Sequence, residues 1–192
     1  MLTDRPPRLK ALLADFRASD QLAMLELPLD DRMRGPAKAI EATMSTEELR
    51  SVRKACTEFL TAAADFYQVS KPAIRVLASR PLRVYESGWA SELFGDYDLE
   101  TKRIRVWMRT PVRKQITSPG TFLSTLVHEL CHHLDYEKFG FRDSPHTRGF
   151  YERVAALYHH ARQTPPKRLF WAPLSGDRWR IDWARTNPPN RR

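Results

Sequence analysis

Histidine is the residue type that most clearly suggests chemistry in this chain, because all six histidines lie between positions 128 and 160. Two of them fall in the pattern H-E-L-C-H, which runs from His128 to His132. On a helix, residues four apart share a face, so both imidazoles can reach one metal ion. Glu129 projects about 100° from His128, where it can meet a metal-bound water without being a ligand. The spacing predicts His128 and His132 as metal ligands and Glu129 as a general base.

Zinc is the metal that this pattern favours, since imidazole ligands suit Zn²⁺. A bound Zn²⁺ lowers the pKa of its water toward neutrality and polarises a carbonyl group. Glu129 would take the proton from that water and later pass it to the leaving group. A catalytic zinc ion usually has three protein ligands and one open position. We therefore expect a third ligand downstream of the motif.

Seven downstream residues carry a nitrogen or carboxylate that could be this third ligand: His133, Asp135, Glu137, His146, Glu152, His159 and His160. On the motif helix His133 would point roughly 140° away from His128. Asp135 is better placed to accept a hydrogen bond from His132 and so fix its tautomer. Glu137 and Glu152 remain possible carboxylate ligands.

His146 is the third ligand that the sequence favours. The residues Asp143-Ser144-Pro145 resemble a helix start, with a capping side chain just before a proline. His146 is then expected in the first turn of a helix that follows the motif helix after a short turn around Gly140. His159 and His160 fall near the end of that second helix, where positive charge is favourable.

Four helices are expected to carry or support these residues. The first is broken by Pro28 and by the segment from Asp30 to Pro36. A capping box, Ser45-Thr46-Glu47-Glu48, would begin the second. The third is apolar and carries the histidine pattern, and the fourth follows Asp143. Their expected ranges are 8–27, 45–67, 121–140 and 143–162.

Strand-like segments lie between the second and third predicted helices. They are Ile74–Leu77, a segment beginning at Arg83-Val84-Tyr85, Gly95–Asp98 and Arg103–Arg109. Arg103–Arg109 alternates charged and apolar residues, as a half-buried strand does, and as an edge strand it could hold an extended substrate. We therefore predict an α+β fold in which helices flank a small, mostly antiparallel sheet of three to four strands, with the active-site helix packed against it.

Composition places the chain among globular proteins, since 42% of its 192 residues are hydrophobic and 29% are charged. No apolar run is long enough for a membrane span, and the first residues lack the apolar stretch of a secretory signal. Cysteine occurs only at Cys56 and Cys131, which favours a reducing cytoplasm. We expect a cytoplasmic protein with no membrane partner, in which Cys131 is a small buried side chain.

The C-terminal segment carries much of the formal net charge of +9, because residues 163–192 hold seven basic and two acidic residues. Tryptophans alternate with arginines in Arg178-Trp179-Arg180 and at Trp183 and Arg185. Such residues can stack on bases and contact phosphates, so nucleic acid is a possible partner. The competing interpretation is that Leu169–Trp171 and Trp179–Trp183 form short strands on the domain surface.

The chain resembles the SprT-like family of zinc metallopeptidases over roughly residues 45–160. The resemblance lies in the helical H-E-x-x-H pattern, in Gly95-Asp96-Tyr97 paired with Arg103–Val106, and in His146-Thr147-Arg148-Gly149-Phe150, where a histidine precedes an aromatic residue by four positions. Family members often have glycine directly after that histidine, and many carry a cysteine-rich ribbon that is absent here. The resemblance implies a zincin-like active-site helix and peptide-bond hydrolysis, in some members of proteins attached to DNA.

Together these inferences predict three regions: an N-terminal helical extension (1–44), a SprT-like metallopeptidase domain (45–162) and a basic tail (163–192). The expected function is hydrolysis of a protein or peptide by a zinc-activated water. The alternative is a nucleic-acid-associated metalloprotein, either a DNA-linked protease or a structural metal site, that uses the tail. Three residues are open candidates for stabilising the oxyanion: Arg148, Tyr151 and Tyr158.

Overall fold

The structure is a computed structural model that describes residues 1–84 and 90–188, with the side chains of residues 83, 84, 90 and 91 left aside. Its helices are α1 (Lys10–Gln21), α2 (Arg34–Met44), α3 (Leu49–Tyr67), α4 (Pro119–Glu137), α5 (Arg148–Arg162) and α6 (Trp183–Thr186). Its strands are β1 (Ala73–Ser79), β2 (Leu82–Val84), β3 (Ala90–Glu92), β4 (Gly95–Asp98), β5 (Arg103–Arg109), β6 (Trp171–Leu174) and β7 (Arg178–Ile181). The predicted α+β class is confirmed.

The chain divides into two compact units. One is the continuous segment Pro28–Lys138, which we call the sheet unit. The other combines Met1–Leu27 with Phe139–Arg192, and we call it the paired-ends unit. In the parts of both units that are described, no helix has the length and apolar character needed to cross a membrane.

The sheet unit is built on a three-stranded sheet in the order β1-β5-β4. β5 runs parallel to β1 and antiparallel to β4, and the β4–β5 hairpin was expected from Gly95–Asp98. β2 and β3 form a separate antiparallel pair, in agreement with a strand at Arg83-Val84, while Tyr85 lies outside the described residues. The three-stranded sheet is therefore mixed, with one parallel and one antiparallel pairing, whereas the two separate strand pairs are antiparallel.

β5 is the central strand, so the prediction that Arg103–Arg109 is an edge strand is wrong. Ile104 and Val106 on one face of β5 are fully buried, as the alternation predicted. Trp107 on the opposite face is also buried, with only 7% of its surface exposed, so both faces of β5 are covered. Alternation reports which faces of a strand are covered by side chains and carries no information on its hydrogen-bonding neighbours. In the described sheet the edge strands are therefore β1 and β4.

α3 confirms the second predicted helix, and its buried face contains Val52, Cys56, Phe59, Leu60 and Ala63. The capping box expected to begin it is not formed. Ser45 Oγ donates to the carbonyl oxygen of Ala42, and Thr46 Oγ1 donates to that of Thr43. Both hydroxyls thus bond carbonyl groups at the C-terminal end of α2, and α3 begins at Leu49 after Glu48.

α2 was not predicted from the sequence. It begins at Arg34, inside the segment from Asp30 to Pro36 that was predicted as a break. Pro36 is the third residue of this helix, where its missing N–H removes no intrahelical hydrogen bond. The side chains of Ala37, Ile40 and Met44 are buried and define its inner face. α2 packs on α3 and α4, whereas α4 also covers β4 and β5.

In the paired-ends unit, α1 packs against α5. α1 ends at Gln21, six residues before the predicted end, and residues 22–27 continue without helix. α1 ends where buried Arg153 of α5 donates to the carbonyl oxygens of Ser19 and Leu22. These bonds satisfy carbonyl groups that a longer helix would have bonded internally.

The C-terminal segment forms a β-hairpin, so the interpretation as short strands is confirmed for Trp171 and for Trp179–Ile181. Leu169 and Phe170 lie before β6, and Trp183 begins the short helix α6. β6 and β7 pair from Trp171↔Ile181 to Leu174↔Arg178. Residues 1–3 lie along the other side of β7, through a bridge between Leu2 and Arg180 and a 2.8 Å hydrogen bond from Thr3 N to the carbonyl oxygen of Trp179.

Candidate metal centre

α4 carries the histidine pattern, as the sequence predicted. The helix begins after Ser118, whose Oγ accepts a hydrogen bond from Thr121 N, and Pro119 occupies its first turn. Leu126, Val127, Leu130 and Leu134 are almost completely buried. This apolar surface fixes the rotation of α4 about its axis and thereby the direction in which the histidines point.

His128 and His132 lie side by side on α4. Their Nε2 atoms are 3.2 Å apart, and their ring centroids are separated by 4.8 Å. Two nitrogens bound to one tetrahedral zinc at the usual Zn–N length would be ~3.3 Å apart. Both rings are half-buried. The spacing of these two donors therefore fits a zinc ion, as the i, i+4 pattern predicted.

Glu129 is buried against the sheet, with 5% of its surface exposed. A Cβ atom placed on Gly95 of β4 would lie 2.7 Å from Glu129 Oε1 and 3.0 Å from Glu129 Cγ. Burial, followed by the negative charge of Asp96, raises the pKa of Glu129 to about 8. The β4 backbone thus encloses the carboxyl group and restricts its orientation.

His133, the neighbour of the ligand pair, is fully buried on the side facing the sheet. Its Nε2 lies 2.7 Å from the carbonyl oxygen of Ser70, and its Nδ1 lies 2.9 Å from Tyr97 Oη. Since a carbonyl oxygen only accepts, Nε2 carries the proton and Nδ1 accepts from Tyr97. Burial lowers the pKa of His133. The prediction that His133 points away from the metal-facing side of α4 is confirmed.

The carboxylate alternatives have other partners. Glu137 accepts a 2.6 Å hydrogen bond from Ser70 Oγ and lies 2.9 Å from Lys102 Nζ, and these contacts lower its pKa. Glu152 accepts a hydrogen bond from Trp171 Nε1 at 3.1 Å. Asp135 is fully buried, and its hydrogen bond to His132 stays a prediction.

Two other expectations concern the second helix and the cysteine. His159 Nδ1 lies 2.7 Å from Thr164 Oγ1 at the C-terminal end of α5, in agreement with a role at the helix terminus. Cys131 is buried and not part of a disulfide, as expected for a small apolar side chain.

His146 belongs to the paired-ends unit and lies just before α5. The helix begins at Arg148, and Thr147 Oγ1 caps it by accepting from Phe150 N at 3.0 Å. The prediction that His146 stands in the first turn is therefore wrong. Asp143-Ser144-Pro145 resembles a helix start, but Ser144 has a φ of 41°, which cannot continue into a right-handed helix.

Asp4 holds His146 through both main chain and side chain. Asp4 Oδ2 accepts from His146 N at 2.9 Å and lies 3.3 Å from His146 Nδ1, while Asp4 N donates to the His146 carbonyl oxygen at 2.9 Å. The imidazole stacks on Tyr151, with 5.8 Å between ring centroids. Burial raises the pKa of Asp4, but the hydrogen bonds from His146 outweigh it, so the pKa lies below its usual value.

The three candidates for oxyanion stabilisation all bond elsewhere in the paired-ends unit. Arg148 forms an ion pair with Asp20, and Tyr151 Oη donates to the carbonyl oxygen of Leu2 at 3.0 Å. Tyr158 Oη accepts from Arg162. These contacts position α5, and they do not select an oxyanion donor.

The comparisons with known proteins add no relative. No family model matches the chain, and neither the curated proteins nor the solved structures contain a significant match.

Proposed function

We propose that this protein is a zinc-dependent metallopeptidase of the SprT-like kind, with His128, His132 and His146 as ligands and Glu129 as general base. The observation that carries the proposal is the pair of histidine Nε2 atoms, 3.2 Å apart on α4. The buried carboxyl group of Glu129 follows the first of these histidines on the same helix. Burying two imidazoles and a carboxyl group close together on one helix costs free energy, and a bound metal ion would offset part of that cost.

The donor set supports zinc. The proposed ligands His128, His132 and His146 are all imidazoles, and three imidazoles with an open fourth position are typical of catalytic zinc. Asp4 faces Nδ1 of His146, which leaves Nε2 as the nitrogen for a metal. When bound, zinc supplies a Lewis acid that polarises a carbonyl group and acidifies a water molecule.

Glu129 has the proton-transfer role. The positive charge of a bound metal ion would favour the ionised form of Glu129. Its carboxylate would then accept a proton from the attacking water and deliver it to the amine of the leaving peptide. Packing of Gly95 against Glu129 Cγ and Oε1 limits the rotamers of this side chain. A base held in one orientation loses little conformational entropy when the reaction begins.

The sheet supports a peptide as the substrate. In the described sheet β4 is an edge strand, and it is also the strand that lies against Glu129. An extended peptide could pair with the free edge of β4 and bring a backbone carbonyl group near the base. This role belongs to β4 rather than to β5, for which the sequence suggested it.

The substitution Glu129→Gln tests the proposal. Gln fills the same space but cannot accept the proton, so hydrolysis of a labelled unfolded protein should fall by roughly 100-fold or more while zinc content is unchanged. Glu137→Gln is the matched control on the same helix, because Glu137 is bonded to Ser70 and Lys102. Equal hydrolysis by the wild type and Glu129→Gln would exclude Glu129 as the base.

Metal analysis of the same preparations tests the ligands. The wild type and Glu129→Gln should each contain about one zinc ion per chain, and His146→Ala should bind zinc more weakly. Full zinc occupancy in His146→Ala under competition with a chelator would remove His146 from the site.

Phe170 and Trp179 give the nucleic-acid alternative no support, whereas Trp183 is 47% exposed. Arg148 lies over Trp179, and Arg168 and Arg185 lie over Phe170, at 4.7, 5.3 and 4.7 Å from the ring centroids. Rings covered by guanidinium groups of the same chain offer less surface for base stacking. A cytoplasmic location is part of our proposal and rests on two buried cysteines that form no disulfide with each other.

A further inference from the structure

Residues 1–4 form a short segment that is held at several points in the paired-ends unit. Thr3 N donates to the carbonyl oxygen of Trp179, and Trp179 N donates to Thr3 Oγ1, both at 2.8 Å. Ile181 N donates to the carbonyl oxygen of Met1. Thr3 is 4% exposed. The segment is therefore aligned along β7 by one isolated bridge and these hydrogen bonds, which fixes the position of the next residue, Asp4.

Tyr151 connects this segment to His146. Its hydroxyl group donates to the carbonyl oxygen of Leu2, and its ring stacks on the imidazole of His146 at an interplanar angle of 21°. One face of the His146 imidazole is thus covered by the ring of Tyr151, which is itself hydrogen-bonded to residue 2 of the segment. Rotation of His146 about its χ angles would disturb this stacking as well as the contact with Asp4.

The contact between Asp4 and His146 determines which imidazole nitrogen is available. An ionised carboxylate can only accept hydrogen bonds, so Nδ1 of His146 carries the proton that faces Asp4 Oδ2. In the neutral ring the other nitrogen, Nε2, is then unprotonated and carries a lone pair. Metal-binding histidines commonly donate their second ring N–H to a carboxylate, which fixes the tautomer and raises the basicity of the ligand nitrogen.

We propose that Asp4 is a positioning residue of the metal centre: held by residues 1–3 on β7, its carboxylate accepts Nδ1–H of His146 and so presents Nε2 to the metal. This inference rests on the metal site proposed above. It assigns a role to the C-terminal hairpin, because β7 is the strand on which residues 1–3 are aligned. The hairpin acts on the metal through Asp4 and His146.

A purely structural role for Asp4 predicts a different result. The side chains of Asp4 and His146 are 52% and 33% exposed, and ion pairs this exposed contribute little to stability. Loss of a carboxylate behind a metal-binding histidine, in contrast, typically lowers metal affinity by about 10–100-fold. Metal affinity and unfolding therefore separate the two roles.

The test is a competition titration of the full chain with Zn²⁺ against a chromophoric chelator. We expect Asp4→Ala to weaken zinc binding by about 10–100-fold, and Asp4→Asn to have a smaller effect because its amide oxygen still accepts a hydrogen bond. The control is Asp15→Asn, which removes a carboxylate bonded to Arg142 in the same unit. Asp15→Asn should bind zinc as the wild type does, and the urea midpoints of the metal-free Asp4 and Asp15 variants should be similar.

A double-mutant cycle that combines Asp4→Ala with His146→Ala measures whether the two side chains affect zinc affinity independently. Because Asp4 acts through His146, Asp4→Ala should cause no further loss of zinc affinity in a His146→Ala background. The same loss in both backgrounds would show that Asp4 acts by stabilising the unit and would overturn the inference. Unchanged zinc affinity in Asp4→Ala would also overturn it while leaving the metal site in place. A wild type that binds no zinc would overturn the proposed function itself.

Discussion

At Gly95 the backbone of β4 approaches α4 so closely that a methyl group would not fit. A Cβ atom added at position 95 would lie 2.6 Å from Thr125 Cγ2 and 2.7 Å from Glu129 Oε1. We predict that Gly95→Ala displaces Glu129, lowers hydrolysis by about 10-fold or more and costs about 1–3 kcal/mol of unfolding free energy. Hydrolysis and urea unfolding would be measured together.

The matched control for Gly95→Ala is Gly35→Ala. Gly35 lies in α2 and would gain a Cβ with no atom within 4 Å. Alanine favours helix, so this variant should gain about 0.5–1 kcal/mol and keep normal hydrolysis. Equal hydrolysis by both variants would mean that β4 does not control the orientation of Glu129.

Individual site residues differ in how far the sequence could predict them. His128, Glu129 and His132 follow from helical spacing alone, because all three lie within two turns of α4. Asp4 could not be predicted, since it is 142 positions from His146 and no local pattern connects them. Only the path of residues 1–3 along β7 brings the carboxylate to the imidazole.

Among the elements, α1 depends on α5 for its C-terminal end. Arg153 Nη1 donates to the carbonyl oxygens of Ser19 and Leu22, and Arg153 Nη2 lies 3.2 Å from Ser19 Oγ. Replacement by Met would leave these buried oxygen atoms without their charged donor. We predict that Arg153→Met lowers the unfolding free energy by about 3 kcal/mol, measured by urea denaturation.

Arg17→Met provides the comparison, because Arg17 is exposed on α1. Its effect should stay within about 0.5 kcal/mol. A similar small effect of Arg153→Met would show that the end of α1 does not need a charged donor.

Element boundaries were predicted least well where one residue type suits two conformations. Hydroxyl residues at 45 and 46 can begin a helix or bond the end of the preceding one, and here they bond α2. Proline ends a helix in its interior but is tolerated in the first turn, so the predicted break is present but ends at Met33, and Pro36 lies in the first turn of α2. The interior of a long apolar helix such as α4 is unambiguous, and its prediction was correct.

For the molecule as a whole, the sheet unit is continuous in sequence and has its own core. Its buried side chains include Ile40, Val52, Phe59, Ile104 and Leu123. We predict that a fragment of residues 28–138 folds alone, with cooperative urea unfolding by circular dichroism. With two of the three proposed ligands, it should bind zinc at least about 100-fold more weakly than the full chain.

The comparison for this fragment is the same fragment carrying Phe59→Ala. Phe59 is fully buried in α3, and its truncation should cost about 3–5 kcal/mol. A fragment without cooperative unfolding, or one that this substitution leaves unchanged, would contradict an independent core.

The hydrogen bonds between Thr3 and Trp179 can form only after Trp179 has been synthesised, which sets the earliest time at which the paired-ends unit can assemble. These residues are 176 positions apart, and ribosomes add about 5–20 residues per second. Trp179 is therefore synthesised about 9–35 s after Thr3. His128 and His132 are brought together by the formation of α4 alone. On a growing chain, the two proposed ligands on α4 are therefore in place before residues 1–3 can align Asp4 and His146 along β7.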